Sequence, residues 1–134
     1  MDITAKLRYL RMAPRKVRLV AETIKGIDAT KAIALLSFDA HHSAKPLKKL
    51  VESGVANAKH NFHIDSANLY VKEIRVDGGP SLKRTFPRAM GRANPILRRT
   101  SHVILVLGER VAQSGKSQKL KVKSQNYGVP QGGT

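Results

Sequence analysis

Apolar residues recur along this chain in two rhythms. In DITAKLRYLRM, residues 2 to 12, Ile3, Ala5, Leu7 and Tyr9 alternate with other residues and so share one face of an extended strand, opposite Lys6 and Arg8. The step then lengthens. Val17, Val20, Ala21 and Ile24 recur at helical spacing behind Pro14, which opens a helix well because its missing N–H falls where none is needed, and Gly26 stands where a left-handed stop is wanted. Ala29, Ala32, Ile33 and Leu36 predict a second, short helix, capped by Asp28 or Thr30 and ending near Phe38. A third starts around His41 to Ser43, tolerates Pro46 in its first turn, and buries Leu47, Leu50, Val51, Gly54, Val55 and Ala58 before Asn61 ends it. Gly54 there either lets another backbone come close or is simply tolerated.

The strand rhythm returns in LYVKEIRVD. Leu69 and Val71 have one parity and Ile74 and Val76 the other, so a bulge near Lys72 or Glu73 is needed to give the strand a single buried face. HVILVLG, residues 102 to 108, is apolar at consecutive positions, which predicts the central strand, covered by helices on at least one side. The fold class is therefore α+β: three helices packed on a three-stranded antiparallel sheet from residues 3–11, 68–86 and 89–108, with a long protruding β-hairpin. That hairpin is GGPSLKRTFPRAMGRANPILRR, residues 78 to 99, with Pro87, Gly91, Asn94 and Pro95 as turn formers and the turn itself near Ala89 to Arg92. Ten residues at about 3.3 Å each make a finger about 30 Å long. A two-stranded ribbon of this kind is marginal in water, so something outside the chain must hold it.

Charge sharpens the picture. Among 134 residues, 25 are basic and 9 acidic, a net charge of +16 that repels itself in a compact fold and favours a polyanion, with nucleic acid as the leading partner. The finger holds Lys83, Arg84, Arg88, Arg92, Arg98 and Arg99, and no Asp or Glu occurs between Asp77 and Glu109. An edge hairpin that only resists aggregation needs one or two charges. Arg15, Arg18, Glu22 and Lys25 form a stripe on the first helix beside Lys16; by itself that is an ordinary solvated face with an internal ion pair, but Lys6, Arg8 and Arg11 lie close by. Residues 1–109 are expected to form a single domain that includes the hairpin. Residues 110–134 are polar, Gly-rich and basic, and read as a disordered extension until a partner orders them.

Other chemistry finds little footing. There is no cysteine, hence no disulfide or thiolate metal site, and the five histidines (among them His41, His42, His60 and His63) lack companions for a zinc site. Ser101 and His102 are strand neighbours that point to opposite faces, and GGPSLKR lacks the glycine spacing of a phosphate loop. No enzyme, no cofactor and no metal is expected. With no Trp, three Phe and three Tyr, base-stacking platforms are few, so backbone contact outweighs base reading. No apolar run approaches a membrane span and MDITAKLRYL lacks the order of a secretory signal; a cytosolic location and no membrane partner are expected. An alternative is a DNA-bending architectural protein with a basic β-ribbon arm, for which Pro87 and Pro95 near the tip speak. Such proteins are usually symmetric dimers. No dimer seam shows here, and no homo-oligomer is expected.

APRKVRLVAETIKG at 13–26, ESGVANAKHN at 52–61 and VDGGPSLKRTFPRAMGRANPILRRTSHVILVL at 76–107, with their separations, resemble one family over residues 2 to about 109: the universal large-subunit ribosomal protein twenty-two of bacterial type, whose hairpin lines the nascent-peptide exit tunnel. The resemblance implies a structural constituent of the large ribosomal subunit that binds its RNA and assists assembly, in the cytoplasm. Neighbouring ribosomal proteins and the nascent polypeptide would be further partners. Carried over by position, Arg15, Lys16, Arg18 and Lys25 match the basic first helix. Lys83, Arg84, Arg88, Arg92, Arg98 and Arg99 match the RNA-contacting finger, and Met90, Gly91 and Arg92 match the tunnel-lining tip. Arg11, beside the first helix, joins the RNA-binding set on its charge. Gly54 stands where the family usually has Ala, and Gly79 where an acid is common.

Overall fold

The last strand among the described residues occupies the middle of the sheet. The computed structural model describes residues 2–110, in which β1 (Asp2–Leu10), α1 (Pro14–Ile24), α2 (Ala29–Phe38), α3 (Ala44–Phe62), β2 (Leu69–Pro87) and β3 (Ala93–Glu109) follow one another. The sheet order is β1-β3-β2, antiparallel throughout. Val103, Leu105 and Leu107 of β3 are fully buried, whereas His102, Ile104 and Val106 between them are half-buried, so helices cover one face of the apolar run. Against that face pack Val17, Val20 and Ile24 of α1 and Leu47 and Val51 of α3, together with Ile3, Ala5 and Val71 of the flanking strands. The α+β fold expected from periodicity is the fold observed.

Pro14 occupies the first turn of α1, as expected. Beyond the helix, Gly26 has φ +80° and its N–H donates to Val71 O at 2.8 Å, while Val71 N–H donates to Ile27 O at 2.9 Å. The left-handed turn therefore hooks the helix end onto β2. Asp28, rather than Thr30, takes the N-cap position of α2, although its carboxylate turns to Lys31 and Arg110 instead of to helix N–H groups. Asn61 does not end α3. The helix runs to Phe62 and stops at His63 (φ +54°), and Ile64 N–H closes back onto Ala58 O; Ile64 packs against the core, which fixes the exit there. At Gly54 a side chain approaches, not a backbone: a Cβ there would lie 2.9 Å from Leu107 Cδ1.

The strands carry three irregularities. Val71 pairs with Leu107 and Glu73 with Val106, so Lys72 is the extra residue of the expected bulge, and Val71, Ile74 and Val76 come to one face. On β1 the expected alternation fails at Tyr9. Leu7 pairs with Val103 but Leu10 with Ser101, and the surplus residue lets Tyr9 adopt φ +56° with its side chain exposed instead of sharing the face of Ile3 and Ala5. A third break, between the Gly78–Ser101 and Ser81–Arg99 pairs, falls at the finger's root, where Thr100 Oγ1 donates to Pro80 O at 2.7 Å. Gly79 suits it: a Cβ there would meet Thr100 Oγ1 at 2.5 Å. Arg110, first residue of the expected extension, donates its N–H to Asn68 O and stacks over the Tyr70 ring at 5.3 Å. The expectation for residues 111–134 lies outside the described residues.

Candidate nucleic-acid interface

Past the root, the two limbs stay paired from Ser81–Arg99 to Pro87–Ala93, and a short helical turn at Ala89–Gly91 closes the tip. Residues directly opposite in an antiparallel pair share a face. The register therefore puts Arg84 and Arg98 on one face of the ribbon and Lys83 and Arg99 on the other. None of residues 80–99 is buried. At the tip Met90 and Gly91 both have positive φ, 59° and 65°, Met90 is 95% exposed, and Arg88 N–H donates to Arg92 O at 2.7 Å. Arg88 also rests on the Phe86 ring at 5.7 Å.

All the predicted basic site residues are exposed, and none has a carboxylate partner among the described residues. Five acids, Asp2, Asp28, Asp39, Glu52 and Asp77, are paired elsewhere. A hydrogen bond from Lys72 holds Asp2 below its ordinary value of 3.8 and in turn raises Lys72. Asp28 is lowered by the hydrogen bond from Lys31 and by the charges of Lys31 and Arg110; Asp39 is lowered by the backbone N–H of His41 and then by its ring. Asp2 and Asp28 pair with Lys72, Lys31 and Arg110, and Asp39 with His41, all outside the predicted set, which leaves the finger and the N-terminal part of α1 strongly positive.

Five of the predicted residues converge. Arg11 and Lys16, from the β1–α1 turn and the first turn of α1, line a cleft of about 720 Å³ with Arg84, Arg98 and Arg99 from the finger's root. Arg88 and Arg92 lie farther along the finger; Lys83, one pair nearer the root than Arg84 but on the other face of the ribbon, and Arg15 do not line the cleft. Arg18 and Lys25 line a separate groove of mixed sign with Glu22, Arg75 and Asp77. Arg18 differs from the rest in reaching a distant strand: its Nε and Nη2 both donate to Val76 O, at 3.1 and 2.8 Å, clamping α1 to β2, whereas Arg84 donates only to the carbonyl of its neighbour Lys83. Sequence reasoning missed Met12, His42, Leu82 and Leu97, which also line the cleft. The two leucines were open to discovery, since each stands among cations on a ribbon that buries nothing. Met12 and His42 come from turns whose path no periodicity encodes.

The family model for "Ribosomal protein L22p/L17e" matches residues 5–108, which span β1 through β3 with the finger and every predicted site residue. The chain belongs to this family. Relatives called "Large ribosomal subunit protein uL22" include one from Desulfitobacterium hafniense (strain Y51), 50% identical over 103 residues, 77% of this chain and 90% of the relative. One from Myxococcus xanthus (strain DK1622) is 50% identical over 111 residues, covering 81% of this chain and 97% of its own. Another, from Desulfotalea psychrophila, is 49% identical over 109 residues, 81% and 99% respectively. As a member of the L22p/L17e family the chain is a structural constituent of the large ribosomal subunit, not an enzyme. No helix among the described residues is long and apolar enough to cross a membrane.

Proposed function

We propose that this L22p/L17e protein binds large-subunit ribosomal RNA in the cytoplasm, helps the subunit assemble, and lines the nascent-peptide exit tunnel with Met90, Gly91 and Arg92. The observation that carries this reading is the finger: residues 80–99 bury nothing, and cations project from both ribbon faces. A ribbon without a core is held firm only if its surroundings hold it, and guanidinium groups on two faces can grip phosphates on two sides with paired hydrogen bonds. Arg11, Arg15, Lys16 and Lys25 extend the RNA contact onto the globular part. Arg18 contributes charge while its hydrogen bonds remain inside the fold. Residues 1–109 act as one domain and enter the subunit as a monomer among neighbouring ribosomal proteins. Residues 110–134 add a basic extension.

The chain has no cysteine, so Ala89→Cys offers a unique attachment point for an iron chelate at the finger tip. Assembled into large subunits and triggered to make hydroxyl radicals, it cuts ribosomal RNA around the tunnel; a chelate on Ser37→Cys, on the exposed face of α2, cuts elsewhere. Tip-directed cuts confined to the subunit's outer surface would contradict the tunnel reading. Free protein should lose about a thousandfold in affinity for a ribosomal RNA fragment between about 50 and 200 mM salt, as six or more phosphate contacts require. A flat salt response would contradict RNA binding itself.

A further inference from the structure

α2 is apolar on both sides, and the core uses one of them. Ala29, Ala32 and Leu36 are buried with Ile33 packed beside them, while Ala34, Leu35 and Phe38 lie on the opposite side of the helix in solvent, Leu35 50% and Phe38 90% exposed. A helix apolar all round is ordinarily covered all round. The outward face carries one charge, Lys31, which pairs with Asp28 at 2.8 Å, so it offers a phosphate little. We propose that residues 119–123 of this chain fold back onto that face and seat Leu120 and Val122 against Leu35 and Phe38. This goes beyond the RNA-binding reading and does not rest on it.

The place where β3 hands on the chain favours this occupant. Arg110 Nη1 donates to Asp28 Oδ1 at 3.0 Å and Arg110 N–H to Asn68 O, so the segment that follows sets out from the N-terminal end of α2 itself. From Asp28 to Phe38 the helix rises about 15 Å. The family match stops at residue 108, and the sequence runs on to Thr134. Leu120 follows Arg110 by ten residues, and a tether of that length has a root-mean-square span of roughly 17 Å. Span and distance match, which is the condition for the highest effective concentration of a tethered group. Leu120 and Val122 alternate with Lys119, Lys121 and Lys123, so in an extended segment the two apolar side chains share one side and the lysines the other. Docked in this way, the segment covers the apolar face and turns its lysines outward, over a helix whose own cation is already paired.

The test uses the full chain with a nitroxide label on Ser124→Cys, the sole cysteine it then contains, and reads line broadening by NMR. The label erases the Leu35 methyl and Phe38 ring signals but spares those of Leu19, which is 61% exposed on α1. Leu120→Ser with Val122→Ser restores the lost signals and shifts the Leu35 methyls; both substitutions lie beyond β3, and an unchanged thermal melt verifies the fold. Broadening spread evenly over α1 and α2, or broadening at Leu35 and Phe38 that survives the two serines, overturns the docking. Mixing spin-labelled chains free of isotope with isotope-labelled chains free of nitroxide separates the remaining cases. If Leu35 and Phe38 broaden as strongly in that mixture, the face belongs to a second copy and the proposal fails. It fails equally if the free chain shows no broadening at α2 and Phe38 becomes protected only within large subunits, where a neighbouring protein or RNA would be its cover.

Discussion

Arg18 and Arg15 stand one helical turn apart and look equivalent as letters, yet only Arg18 reaches a main-chain carbonyl, that of Val76. Arg18→Gln should therefore cost about 1 kcal/mol in urea unfolding, the net worth of such a hydrogen bond, whereas Arg15→Gln stays within about 0.5 kcal/mol. Equal losses would show that the clamp contributes nothing. Ser101 presents the opposite case. Its hydroxyl is fully buried on β3 without a partner, so Ser101→Ala should raise stability by about 1 kcal/mol by removing an unsatisfied polar group, read as a higher melting temperature. A lower one would mean the hydroxyl is satisfied in solution. Neither residue's role could be read from letters. A stripe of charge looks the same whether its members face water or a carbonyl on β2, fifty-eight residues away for Arg18.

At the scale of elements, the finger and the core are separable. Burial ends on β2 at Val76 and on β3 at Thr100. Replacing residues 82–98 with Asn-Gly, which closes a tight hairpin on the Ser81–Arg99 pair and keeps the Thr100–Pro80 bond, should change unfolding free energy by less than about 1 kcal/mol and abolish incorporation into large subunits. Loss of folding in that variant would make the finger part of the core. The elements themselves were largely legible: helix positions from apolar spacing, the middle strand from its unbroken apolar run, the bulge at Lys72 from a parity switch between Val71 and Ile74. The misses share a cause. Tyr9, His63 and the root bulge at Gly79 and Pro80 are set by what arrives from elsewhere: His102 Nδ1 accepting Tyr9 N–H at 3.0 Å, Ile64 docking on the core, Thr100 reaching Pro80. Converging cations were likewise visible as residues but not as a cleft, because Arg11 and Arg98 meet only after the sheet has formed.

For the whole molecule, the balance of charge sets the response to acid. Asp2, Asp28 and Asp39 all have carboxyls held below 3.8, so the stability they lend is full above that value and lost as pH falls through their lowered folded-state values. Lys72 has the opposite sign: raised above 10.5, it loses its contribution as pH rises through its folded-state value. The melting temperature should thus drop between about pH 5 and pH 2, more steeply because a net charge of +16 grows further, and Asp28→Asn should shallow the drop. An unchanged melting temperature across that range would show these pairs to be inert. The order of the strands carries one more consequence. β1, made first, finds its partner only in β3, made almost a hundred residues later, and β2 waits for the same strand. During synthesis the three helices and two orphan strands must therefore emerge with no sheet to join, and folding completes in a late, slow step that depends on distant pairing.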